Sequence, residues 1–115
     1  MLLIRFPVHF FRSGTGSEPV RDWLKSLDPQ DRKIIGEDIK TVQVGWPLGM
    51  PLVRKLKPDL WEVRSRLQVR IARVLFTFED GKIVLVHGFI KKNQNIPLQD
   101  LFIAESRISE IRGRK

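Results

Sequence analysis

Leu60-Trp61-Glu62-Val63-Arg64, then Arg70-Ile71-Ala72-Arg73-Val74-Leu75-Phe76, then Glu79-Asp80-Gly81-Lys82 and Ile83-Val84-Leu85-Val86-His87-Gly88-Phe89-Ile90-Lys91-Lys92-Asn93-Gln94 decide the fold. Apolar and β-branched runs of strand length alternate with charged residues, and Asp80-Gly81 between two such runs is a strong hairpin signal. Arginines and lysines interrupt the apolar pattern. Cationic side chains held on a rigid sheet are suited to gripping phosphates.

Working outward, strands are expected at Leu52–Leu56, Leu60–Leu67, Val69–Phe78 and Lys82–Ile90, with an opening strand within Leu2–Phe11. Between the opening strand and the rest, Val20, Trp23, Leu24 and Leu27 follow the spacing of one buried helix face, behind Pro19 in a first turn. Asp28-Pro29 ends that helix and opens another, with Asp28 as its cap and Ile35, Ile39 and Val42 on its inner face. Gly45-Trp46-Pro47-Leu48-Gly49-Met50-Pro51 is a connecting loop. Pro97 opens a last helix with a stripe of Leu101, Ala104, Ile108 and Ile111. The order β-α-α-β-β-β-β-α predicts an α+β fold: a helical pair on one side of a mostly antiparallel sheet, with part of the other face left for function.

The 115 residues form one domain, 1–115, with 42% hydrophobic residues to bury a small core. No apolar run approaches the ~20 residues that span a bilayer, so no membrane partner is expected. The N-terminus lacks a signal-peptide pattern, and there is no cysteine, which fits a cytoplasmic protein. The formal charge of +8 points to an anionic partner. Acids dominate between Glu18 and Asp38. Bases dominate between Arg54 and Arg73, where Arg54, Lys55, Lys57, Arg64, Arg66, Arg70 and Arg73 face only Asp59 and Glu62.

Glu62, Arg64 and Arg66 share one strand face by alternation. Glu62 is either half of a structural ion pair or an orienting and proton-transfer group beside a phosphate clamp. Arg73, inside an apolar strand, either pairs with Glu62 across the sheet or grips phosphate oxygens directly. Lys55 and Lys57 flank Leu56 and are expected on one face, while Lys91 and Lys92 follow the last strand. Phe89 lies between His87 and Lys91 in the alternation, as a core residue or a platform for a base. His87 and His9 read as satisfied, buried histidines, and two distant histidines without cysteine make a poor metal site. No Ser-His-Asp pattern, P-loop or dinucleotide fingerprint is present.

The order and spacing of Leu60-Trp61-Glu62-Val63-Arg64, Arg73-Val74-Leu75-Phe76 and His87-Gly88-Phe89-Ile90-Lys91-Lys92-Asn93-Gln94, with Pro97 before a final helix, resemble the HigB-like branch of the RelE/ParE toxin superfamily, including phage-derived toxin-like proteins. The resemblance covers nearly the whole chain. It implies a RelE-like fold and a toxin of a type II toxin–antitoxin system, with a helix-turn-helix antitoxin as partner. It further implies a metal-independent, cofactor-free endoribonuclease acting on mRNA at the ribosome. On that basis Lys57, Glu62, Arg64 and Arg73 are the catalytic candidates, and Lys55, Arg66, Phe89, Lys91 and Lys92 the RNA-binding ones. Many RelE-like nucleases carry a tyrosine or histidine near the C-terminus. This chain has no tyrosine, and its final helix has no histidine. The alternatives are a ParE-like gyrase-binding inhibitor and a non-catalytic RNA- or protein-binding relic of the fold.

Overall fold

The structure is a computed structural model that describes residues 6–91 and 95–114. The elements are β1 (Val8–Phe10), α1 (Pro19–Lys25), α2 (Pro29–Gly45), β2 (Val53–Lys57), β3 (Leu60–Arg66), β4 (Ile71–Glu79), β5 (Lys82–Lys91) and α3 (Leu98–Gly113). The expected α+β order is present. A five-stranded sheet runs β1-β5-β4-β3-β2, antiparallel throughout except for β1, which pairs parallel to β5 with Val8 opposite Ile83. The β4–β5 turn is the two residues Asp80 and Gly81, both at positive φ (53° and 74°), the geometry a tight hairpin needs.

The two sheet faces are covered differently. On one, Val63, Ala72, Val74, Phe76, Ile83 and Leu85 pack against Val20 of α1 and Ile35, Ile39 and Val42 of α2. Trp46, Trp61, Phe76 and Phe78 form an aromatic cluster there with centroids 4.9–5.9 Å apart. The helix spacing read from the sequence explains this face, since all three inner-face residues of α2 are buried. On the other, Leu60, Leu75, Val84 and Val86 pack under Ala104 and Ile108 of α3. The α3 stripe was legible in the same way.

Three details differ from the sequence reading. Asp28 sits at the N-cap of α2, but its side chain makes no capping hydrogen bond. The opening strand is Val8–Phe10; the earlier part of the stretch, residues 2–5, lies outside the described residues. His9 is exposed rather than buried, because the edge strand turns its alternate side chain outward. Gly88 has a specific packing reason. A Cβ there would lie 2.4 Å from Cζ3 of Trp23, so α1 docks against bare backbone.

Candidate functional site

The α3 side of the sheet continues beyond the helix, and the strand registers say what lies there. Arg54 opposes Glu62, Glu62 opposes Leu75, and Leu75 opposes His87. In the next row Arg64 opposes Arg73, which opposes Phe89. In the last, Arg66 opposes Ile71, which opposes Lys91. Four adjacent strands, β2 to β5, therefore bring residues from separate stretches of sequence onto one patch.

Its centre is Glu62, fully buried and ringed by three guanidinium groups. Arg73 Nη1 donates to Glu62 Oε2 at 3.1 Å and to Oε1 at 3.3 Å. Arg54 Nε lies 3.0 Å from Oε1, and Arg64 Nε 3.8 Å from it. Three cations share one carboxylate, so the cluster keeps an excess of positive charge. The exposures of the side chains are graded: 0% for Arg73, 11% for Arg64 and 35% for Arg54. Arg73 is thus a buried partner of Glu62, the first of the two arrangements its apolar strand left open, and the charge is presented outward through Arg64 and Arg54.

The row beside it is aromatic. His87 and Phe89 stack with ring centroids 5.5 Å apart. His87 is largely buried and satisfied, as its apolar strand suggested: its Nε2 lies 2.7 Å from Oδ1 of Asp100 in the first turn of α3. Arg107, from further along α3, donates to the Val86 carbonyl at 2.7 Å and lies 3.5 Å from His87 Nδ1. Burial lowers the pKa of Arg107 from its usual value, with the charge of Glu110 acting in the opposite sense.

The other sequence candidates are distributed around this patch. Lys57 Nζ bonds Glu105 of α3 at 2.8 Å, at the rim of the covered region. Lys55 does not join it. Its Nζ lies 5.7 Å from the ring centre of Trp61, on the face covered by the helical pair. A register shift between Lys55 and Lys57 separates the two. Arg66 is exposed and Lys91 half-buried at the far end, while Lys92 lies outside the described residues. Arg54, Asp100 and Arg107 were not singled out from sequence. The parity of Arg54 with Leu56 was the available signal for the first, since Leu56 packs on the α3 side. Asp100 and Arg107 reach the site only through the docking of α3.

Among the described residues no cluster of three or more histidines and carboxylates is arranged to hold a metal ion, and no helix is long and apolar enough to cross a membrane.

The family model for phage-derived protein Gp49-like (DUF891) matches residues 22–109, from α1 to within α3, and the chain belongs to that family. The match includes every strand of the arginine cluster. Membership is consistent with a toxin of a toxin–antitoxin system. A search of curated proteins returned no match.

Proposed function

We propose that this Gp49-like chain is the toxin of a type II toxin–antitoxin pair and acts as a ribosome-dependent endoribonuclease on mRNA. The observation that carries this reading is the set of guanidinium groups gathered around Glu62 on a sheet face that α3 leaves partly open. Cleavage of this kind uses the RNA's own 2′-oxygen. That oxygen attacks the adjacent phosphorus, the bond from phosphorus to the 5′-oxygen breaks, and a 2′,3′-cyclic phosphate and a 5′-hydroxyl result. The 2′-proton leaves and the 5′-oxygen gains one, while negative charge builds on the non-bridging oxygens.

Preorganised cations stabilise that charge without reorganising during the step. Arg64, with Arg54 beside it, is placed to meet those oxygens, and Arg73 with Glu62 holds Arg64 and Arg54 from behind. Lys57 stands at the edge, and Arg66, Lys91 and Phe89 extend the patch along the RNA. A messenger presented by the ribosome supplies the alignment that a small site does not. A helix-turn-helix antitoxin partner carrying an acidic segment would neutralise the same face.

The second reading is a binding role without cleavage. It is favoured by the engagement of the proton-transfer candidate: both Glu62 oxygens contact guanidinium groups. The test adds purified protein to a translating ribosome system and maps new 5′ ends on the messenger, with Arg64→Ala alongside. Cuts within codons that need the ribosome, reduced about a hundredfold or more in a folded Arg64→Ala variant, support the nuclease. An intact messenger with unaffected translation overturns it and leaves gyrase inhibition or a binding role.

A further inference from the structure

A cleft of about 330 Å³ opens beside the arginine cluster, lined by Asp38, Pro51, Leu52, Arg64, Arg66 and Ile71. It lies where α2, the loop before β2 and the open end of the β3–β4 pair meet. Pro51, Leu52 and Ile71 supply the apolar part of the lining, the chemistry that the faces of a planar ring need. The polar groups have opposite sign. Asp38 is half-buried and Arg66 exposed, and among the described residues neither forms an ion pair, even with the other. Arg64 belongs both to this cleft and to the cluster around Glu62.

An apolar slot with a few convergent polar groups is the usual form of a small-molecule site. Here it adjoins a phosphate-sized concentration of positive charge, the arrangement a nucleotide needs. Asp38 is an acceptor with two oxygens, and Arg66 is a donor only. Guanine alone among the RNA bases presents two adjacent donors, N1–H and N2–H, on its Watson–Crick edge, with O6 and N7 as paired acceptors on the neighbouring Hoogsteen edge. Adenine and cytosine offer one amino donor beside a ring acceptor, and uracil one imino donor between two carbonyls. Either arrangement turns an acceptor toward the second carboxylate oxygen.

We propose that this cleft reads a guanine next to the phosphate held by Arg64, with Asp38 on the donor edge and Arg66 on the acceptors. The inference rests on the phosphate-binding reading of the cluster and adds the identity of the neighbouring base.

The test titrates the full chain with four 2′-O-methyl trinucleotides, U-N-U with N as guanine, adenine, cytosine or uracil. These resist cleavage, so binding is read without chemistry. The guanine form is expected to bind about tenfold tighter, the discrimination of one good two-point base contact. Asp38→Asn, at a half-buried position of α2, is expected to remove that preference, so that the guanine form binds no better than the other three. Arg64→Ala is expected to weaken all four in parallel. Four equal affinities, unchanged in Asp38→Asn but weakened by Arg64→Ala, would overturn the guanine subsite and leave the phosphate site standing. Binding indifferent to Arg64→Ala, or absent for all four, would overturn both.

Discussion

Glu62→Gln keeps the shape of the side chain and removes its charge from among three guanidinium groups. Arg54 and Arg64 have some access to water and can turn toward it. Arg73, at 0% exposure, cannot. Removing one partner of a buried ion pair destabilises by about 3–5 kcal/mol, because the remaining charge is left uncompensated. The Gln carbonyl still accepts one hydrogen bond from Arg73 Nη1, which places the expected loss near the lower end, at about 3 kcal/mol. A domain of this size has a total stability of about 5–15 kcal/mol, so the variant is expected to fold with a narrow margin. With a urea slope of about 1–3 kcal/mol per molar, the unfolding midpoint falls by about 1–3 M. The assay is urea unfolding followed by tryptophan fluorescence and far-ultraviolet circular dichroism. A companion variant, Glu62→Leu with Arg73→Met, removes both buried charges and is expected to recover part of the loss. A midpoint lowered by less than about 0.3 M in Glu62→Gln would refute the argument. So would a double variant no more stable than Glu62→Gln, since the deficit would then lie in packing rather than charge.

Other perturbations test neighbouring parts of the structure. Gly88→Ala sets a methyl 2.4 Å from Cζ3 of Trp23 and is expected to lower stability by about 1–3 kcal/mol, seen in thermal melting with a shifted tryptophan emission. Asp100→Ala cuts the 2.7 Å contact with His87 and is expected to cost about 1–2 kcal/mol, with faster amide exchange confined first to the start of α3. Gly81→Ala meets a φ of 74° and is expected to cost about 1 kcal/mol in thermal unfolding, with no change in oligonucleotide binding.

Local physics made much of the fold legible in the sequence. Ile35, Ile39 and Val42 repeat at helical spacing and are buried together, and Asp80-Gly81 marks a turn that only a left-handed backbone can make. The limits of β2 to β5 agreed to within one or two residues because charged and turn residues bound each apolar run. The patch around Glu62 was legible in part. Alternation along β3 put Glu62, Arg64 and Arg66 on one face, and the pairing with Arg73 was one of two readings open for an arginine in an apolar strand. What alternation could not reveal was the irregularity between Lys55 and Lys57. A shift by one residue reverses which face a side chain occupies, so Lys55 went to the Trp61 side. The third partner of Glu62, Arg54, depends on that same register. Asp38 was outside the sequence candidates because α2 reaches the cleft only through tertiary packing.

The parallel pairing of β1 with β5 has a consequence in time. Val8 must wait for Ile83 before its strand has a neighbour, and long-range closure of this kind slows folding. The cluster of Arg54, Glu62, Arg64 and Arg73 has no such delay, because it is assembled from three successive antiparallel strands. During synthesis the basic patch can therefore take shape while the opposite border of the sheet is still unfinished. Partial unfolding should follow the reverse path, with β1 peeling from β5 while the arginines remain gathered about their carboxylate.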